Sequence, residues 1–513
     1  MRPGYETTRG AGADNRSPGL ALAAGSDCAV AAARQIADLG GNAVDAAIAA
    51  VLVAATTEPG VTALGGGAYL TIWPQDGLPV TIDGNVEMPG RDGIPAAPDL
   101  DAVHMEYGGG ITTLVGNASI GTPGAIAACG RAGEQFGKLP WQTLLQPAID
   151  TARNGFPLSM ACWSYLQYSA KPIFSRSEEG RRALLTPAGG IKAAGARICL
   201  PKLADSLEII AREGPDSLYT GSLGRRIAGD IIKSGGVLSA TDLACYQVIA
   251  RKPVMVELNG WKIAGNPPPA AGGTSLAAML LLLEKNVEAG TDCQSILVDV
   301  QRKIMRLRKE MAGLVDPAPA AFAYLEKTAR GISAPNTVHV SAVDKSGLAC
   351  AVTWSAGYGS GLMPGGAGIW MNNCLGETEL NRRGILTDPP GTRVPSNMAP
   401  TIARNENGSV LTIGSPGAER ITTALLYTLY YVIFESLPLA EAIEKPRAHV
   451  EKSAAGLAIA CEPGATQDDT NLPLRRFDGL DMFFGGVTAA ARLADGSLIA
   501  AADPRRTGAT LVC

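Results

Sequence analysis

A change of texture at residue 335 limits what this 513-residue chain can fold into. Before it, the sequence is mixed and helix-rich. Residues 27–39 and 42–55 read as Ala-rich helices divided by Gly40-Gly41, and 140–154 and 203–212 read as further helices. Asn266-Pro267-Pro268-Pro269 breaks the pattern before a Leu-rich helix over 275–284. Gly65-Gly66-Gly67 precedes a strand over 68–73; three glycines in a row let a backbone approach something closely. No Lys-Ser/Thr follows them, so they do not make a phosphate loop. After Pro335, 338–343 and 348–354 are short β-branched runs joined by Asp344-Lys345-Ser346-Gly347, a hairpin signature. Strand-like pieces at 368–371, 410–413, 487–493 and 497–501 surround a helix near 422–434. Strands flanked by helices predict an α+β fold with the layering of an αββα sandwich. No flexible linker marks residue 335, so it reads as a seam inside one compact unit.

Length and composition narrow the function classes. The chain is long enough for a large buried core, and its 46% apolar content fits a well-packed globular protein. Charge is nearly balanced, with 44 Lys and Arg against 48 Asp and Glu, and no long basic run. Nucleic acid is therefore not expected as a partner. The ten cysteines are scattered without a CxxC pair, and the three histidines, His104, His339 and His449, lie far apart. That pattern predicts neither a metal site nor a disulfide framework, and it suits a reducing cytoplasm. The first 25 residues lack the apolar core of a signal peptide. The longest apolar run, 46–55, falls far short of a membrane span. The expectation is a soluble cytoplasmic protein with no membrane partner.

The segment Pro335-Asn336-Thr337-Val338-His339-Val340-Ser341-Ala342-Val343-Asp344 carries the chemistry. It resembles the γ-glutamyltranspeptidase family of N-terminal-nucleophile hydrolases, which cleave themselves before a Thr that opens a Thr-x-His-x-Ser-x-x-Asp strand. The likeness continues in Gly40-Gly41-Asn42-Ala43-Val44-Asp45-Ala46-Ala47, Glu58-Pro59, Thr122-Pro123-Gly124, Asn372-Asn373 and Gly414-Ser415-Pro416-Gly417-Ala418, and so covers nearly the whole chain. It implies a four-layer αββα fold without a cofactor. It also implies a precursor cut between Asn336 and Thr337 into a large subunit, 1–336, and a small catalytic subunit, 337–513. Assembly of copies into a homo-oligomer is left open.

The nucleophile has its own physical logic. A Thr hydroxyl is weak near neutral pH and needs a base beside it. An N-terminal Thr brings one, since an α-amine has a pKa of about 8. That amine exists only once the preceding peptide bond is broken. The resemblance adds helpers. Ser355, on the partner strand with Thr353, would position the Thr337 amine or hydroxyl. His339, on the same strand face as Thr337, would hold a structural hydrogen bond or act as a base. The Gly417 and Ala418 amides would form an oxyanion hole. Glu377, Asn373, Ser396 and Asn397 match positions that hold a glutamyl head group, and Cys374 sits where the family has a polar amide. The largest departure is at Asp83-Gly84-Asn85-Val86-Glu87-Met88-Pro89. Asn85 or Val86 stands where the family places an Arg that clamps the α-carboxylate, a loss that is not conservative. Arg91 or Arg393 would have to compensate. These features predict a hydrolase acting on a small acyl substrate other than ordinary γ-glutamyl peptides. The alternatives are a C–C bond hydrolase releasing an oxalyl group in 4-alkylproline antibiotic biosynthesis, a genuine γ-glutamyl hydrolase or transferase, and an inactive scaffold.

Overall fold

The computed structural model describes residues 19–106, 110–286, 293–310, 337–378, 380–381, 384–453, 456–465 and 471–513. Thirteen strands build its two main sheets. They are β1 (Leu20–Ala24), β2 (Gly67–Trp73), β3 (Val80–Gly84), β4 (Ile249–Arg251), β5 (Val254–Leu258), β6 (Trp261–Gly265), β7 (Thr337–Asp344), β8 (Ala349–Ser355), β9 (Thr401–Asn405), β10 (Val410–Gly414), β11 (Thr488–Arg492), β12 (Leu498–Ala502) and β13 (Ala509–Val512). One sheet has the order β13-β1-β7-β8-β2-β3-β4, the other β12-β11-β10-β9-β6-β5, and every pairing in both is antiparallel. Each sheet takes strands from both sides of residue 335. The fold is α+β.

Side-chain alternation assigns the faces. On β7 and β8, Val338, Val340, Ala342, Cys350, Val352 and Trp354 enter a core shared with helices α1 (Asp27–Asp38) and α2 (Ala43–Thr57). The opposite face meets the second sheet. There Ala21, Val343, Ala349 and Ala351 pack on Ala264, Ile402, Val410 and Ala490. The second sheet buries its other face, through Ile263, Ala403, Leu411, Ile413 and Ala489, against helices α3 (Ala271–Asn286) and α4 (Arg420–Ile433). All of α2 is buried. A helix apolar on every side needs neighbours all round. Its start is fixed by a capping box: the Asn42 side chain accepts from the Val44 and Asp45 amides, and Asp45 accepts from the Asn42 amide at 2.9 Å. Among the described residues, no helix is long and apolar enough to cross a membrane.

The expected helices and the central hairpin are present, with ends shifted by no more than four residues. The strand expected at 368–371 is not. Gly365, Gly366 and Gly368 have φ of 66°, 59° and 67°. These left-handed residues turn the chain repeatedly, and Met371 makes only an isolated bridge to Gly65.

Candidate active site

Thr337 is the first residue of β7 and lies opposite Ser355 in the β7–β8 register, with His339 opposite Thr353 two residues on. Thr337 is 5% exposed. The Ser355 hydroxyl accepts from the Gly357 amide at 3.3 Å. Gly66 explains how these residues fit: a Cβ there would sit 2.3 Å from the Ser355 carbonyl oxygen. The glycine run thus approaches the end of the β7–β8 hairpin.

His339 is enclosed in a hydrogen-bond relay. Ser341 Oγ donates to the Thr488 carbonyl at 3.0 Å, which commits its only proton. It must then accept from His339 Nε2 at 3.0 Å, leaving Nδ1 to accept from Thr353 Oγ1 at 2.7 Å. This assigns a neutral Nε2–H tautomer. Burial lowers the ring's pKa to about 3, because a desolvated imidazolium is disfavoured. With both nitrogens occupied inside the protein, His339 holds structure and has no lone pair to offer as a base.

One pocket is lined by Thr337, Ser355, Asn85, Glu377, Ser396, Asn397 and Ala418. It offers about 30 Å³ to the centres of water molecules, more than the roughly 10–15 Å³ that one water needs on that measure. Cys374, Leu380, Val394, Pro395, Met398 and Ile421 complete the lining. Gly417 and Ala418 turn the chain between β10 and α4, with φ of 125° and 58°. Neither N–H donates to a protein acceptor among the described residues. Two adjacent unused amides, with Ala418 lining the same pocket as Thr337, are suited to an oxyanion. For Ala418 the left-handed conformation costs about 1–2 kcal/mol, of the kind found at functional turns.

A sequence model of the gamma-glutamyltranspeptidase family matches residues 28–318 and 298–513. The chain belongs to the gamma-glutamyltranspeptidase family. It is 29% identical over 512 residues to the glutathione hydrolase proenzyme of Escherichia coli strain K12, covering 91% of this chain and 87% of the relative. It is 30% identical to the acylase ACY 1 proenzyme of Pseudomonas sp. strain SE83, covering 94% and 91%. Its fold matches the crystal structure of a cephalosporin acylase from Bacillus halodurans with a TM-score of 0.80 at 20% identity, over 100% of this chain and 99% of the other.

Several expectations carried over from this family need correction. Arg393 does not line the pocket. Its guanidinium pairs with Glu87 at 3.1 Å and Asp83 at 3.4 Å, donates to the Gln247 carbonyl, and lies 4.5 Å above the Tyr246 ring. Arg91 is likewise engaged, with Asp242 at 3.2 Å and Glu87 at 3.4 Å. Neither guanidinium lines the pocket. Asn373 is also outside the pocket; its amide donates to Thr113 Oγ1 and the Leu114 carbonyl, both at 3.0 Å, and ties its loop to the strand Ile111–Val115. Burial and the neighbouring Glu377 push the Cys374 thiol well above its usual range, where it stays protonated. Asn85 does line the pocket, and one N–H of its side-chain amide donates to the Val394 carbonyl at 2.6 Å. Asn336 lies outside the described residues. The sequence reading missed Tyr246, whose hydroxyl donates to the Asn85 carbonyl at 2.7 Å. Thr122-Pro123-Gly124 was the available signal: a Cβ at Gly124 would fall 1.7 Å from that hydroxyl.

Proposed function

We propose that this protein is a self-processing hydrolase that uses Thr337 to form an acyl-enzyme with a small acyl group other than γ-glutamyl. The observation that carries this reading is one pocket holding Thr337, Ser355 and Ala418 but no lysine or arginine among its described lining residues. The two relatives described above are proenzymes by name, in keeping with cleavage between Asn336 and Thr337. We read the two facing sheets, with helices on their outer faces, as the four-layer αββα sandwich of N-terminal-nucleophile hydrolases.

In this mechanism, cleavage turns Thr337 into an N-terminus. Its α-amine, with a pKa of about 8, takes the hydroxyl proton as Oγ attacks the substrate carbonyl. Ser355, directly opposite in the register, orients the amine or hydroxyl. The Gly417 and Ala418 amides receive the negative oxygen, and hydrogen bonds aimed there act on charge present only in the transition state. The amine then protonates the leaving group, and water repeats the cycle on the ester.

Denaturing mass spectrometry tests the first half: fragments 1–336 and 337–513 are expected, and a Thr337→Ala chain should remain whole. An unmodified chain that stays intact on long incubation would rule out the nucleophile. A chromogenic γ-glutamyl anilide tests the second half, with slow or absent turnover expected. Turnover of it in preference to other acyl anilides would refute the altered specificity.

A further inference from the structure

We infer that the cavity behind Tyr246 is a second ligand site, suited to a planar aromatic ring that carries a positive charge at one edge. It stands apart from the Thr337 reading. The cavity offers about 570 Å³ to the centres of water molecules, within the roughly 300–1,000 Å³ of ordinary small-molecule sites. None of its described lining residues also lines the Thr337 pocket. Tyr246 is the partition: it lines this cavity, and its hydroxyl donates at 2.7 Å to the carbonyl of Asn85, which lines the other. Protein interiors are close-packed, so a space this large beside a core needs a reason. Ala127, Gly130 and Gly133 of the helix Ala125–Phe136 line it with nothing larger than a methyl group. Gly130 has a packing reason, because a Cβ there would fall 2.3 Å from Pro215 Cγ. Gly133 has none: a Cβ would meet only Ile48 and Leu144, both at an ordinary 3.6 Å. A mid-helix glycine with no clash to avoid is destabilising, and here it leaves the wall beside Leu144 open.

The lining sets the ligand's chemistry. Leu139, Trp141, Leu144, Val248 and the stacked pair Tyr219 and Tyr246, with ring centroids 5.5 Å apart, give it aromatic and apolar walls. None of these brings a charge. Trp141 Nε1 donates to the Ile210 carbonyl at 3.0 Å, and the Tyr219 hydroxyl accepts from the Ala127 amide at 3.3 Å. Burial pushes both phenols above their usual range, so they stay protonated. A flat aromatic body fits such walls. Charge sits only at the exposed residues of the lining, Arg131, Glu134 and Asp216. Arg131 pairs with Glu134 at 3.5 Å, and Asp216 has no cation partner among the described residues. The mouth therefore carries one uncompensated negative charge. Arg393, 4.5 Å above the Tyr246 ring, is matched by Asp83 and Glu87. An aromatic cation can place its ring among Trp141 and the tyrosines, where ring faces attract positive charge, and its charged edge beside Asp216, still in reach of water. An aromatic carboxylate would meet Asp216 with Arg131 already paired.

Three molecules built on one tricyclic ring test this by calorimetric titration of the full protein at slightly alkaline pH: 9-aminoacridine (cation), acridine (neutral) and acridine-9-carboxylate (anion). We expect one saturable site for 9-aminoacridine, with a Kd roughly tenfold or more below that of the carboxylate and acridine between them. Asp216→Asn, at an exposed position, should raise the 9-aminoacridine Kd about threefold, the size of one exposed charge pair, and leave that of acridine in place. Ala127→Phe should fill the cavity and abolish binding of all three. A neutral ring or a carboxylate that binds as tightly as the cation overturns the inference, as does the lack of saturable binding by any of them. Binding of 9-aminoacridine that Asp216→Asn leaves unchanged puts the molecule elsewhere and overturns it too. Should Ala127→Phe fail to fold, the ligand series and Asp216→Asn decide. A Thr337→Ala chain should bind 9-aminoacridine as the unmodified protein does, whether or not the chain cleaves; a Kd that shifts in that variant would place the molecule in the Thr337 pocket and refute the second site.

Discussion

Replacing Thr353 by Val removes one hydroxyl from a buried relay while keeping the side chain's shape. In the wild-type protein Thr353 donates to His339 Nδ1 at 2.7 Å, and the ring passes its own proton to Ser341 at 3.0 Å. In the variant no tautomer satisfies both ring nitrogens. With the proton on Nε2, Nδ1 is an acceptor facing a methyl group; with the proton on Nδ1, a donor faces it and Ser341 loses its partner. An unsatisfied buried group costs about 1–3 kcal/mol, and near-equal volume keeps any cavity contribution small. The measurement is urea unfolding in a Thr337→Ala background, where the chain is expected to stay in one piece. The midpoint should fall with the slope unchanged. Ser341→Ala acts on the other ring nitrogen, so the two substitutions together should depart from additivity by at least about 0.5 kcal/mol. A Thr353→Val cost below about 0.5 kcal/mol, or strict additivity with Ser341→Ala, would refute the relay and its tautomer assignment.

His339 is held at a pKa of about 3 by burial, below its ordinary 6.5. The unfolded chain therefore binds a proton there first, and stability is fully present above pH 6.5 and lost as pH falls toward 3. Replacing His339 by Gln should remove up to about 1.4 kcal/mol per pH unit of that slope, read from urea midpoints between pH 4 and 6.5. Glu58 runs the other way: burial raises it to about 7, so its contribution is present below pH 4.5 and lost as pH rises to 7. Glu58→Gln should stabilise the protein at pH 8 by up to about 3 kcal/mol and not at pH 4.5, compared by denaturant midpoints. Arg393→Met leaves two buried carboxylates short of a partner and should cost about 3–5 kcal/mol in unfolding free energy. Because Arg393 lies outside the pocket, KM should stay put.

Much of the frame was legible because long apolar patterns leave little freedom. The Ala-rich helices, the 337–355 hairpin and the Leu-rich helix all follow from periodicity and turn residues. The strands at Leu20–Ala24, Val254–Leu258 and Trp261–Gly265 were not read. Leu20–Ala24 takes its identity from residues 340–344 and 509–512, which no local pattern displays, whereas Val254–Leu258 and Trp261–Gly265 pair with each other across Asn259-Gly260, a local hairpin signal that was overlooked. The site shows the same division. Thr337, Ser355, Glu377, Ser396, Asn397, Asn85 and Ala418 do converge on one pocket. Arg393 was misplaced because nearness in sequence to Ser396 says nothing about direction: Val394 turns into the pocket, while Arg393 turns toward Asp83 and Glu87.

The alternation that builds the two facing sheets also places Thr337. Thr337, His339, Ser341 and Val343 share the face of β7 that meets the second sheet. A slip of one residue would bring Val338 to the position of Thr337 and invert every polar contact on the strand. Two contacts oppose that slip. Ser341 is hydrogen-bonded to Thr488 on β11, and the His339 ring lies where any Cβ at Gly414 of β10 would come within 2.1 Å of it. Gly414 is three residues before Gly417, so the strand that leads into the Gly417-Ala418 turn is seated on the strand that begins with Thr337. Gly414→Ala should therefore separate the two halves of the site rather than fill a gap: the ring cannot move without breaking its bonds to Thr353 and Ser341. We expect that variant to remain uncleaved by mass spectrometry and to lose soluble yield. Normal cleavage into two fragments would show that the strands reach their register without this contact.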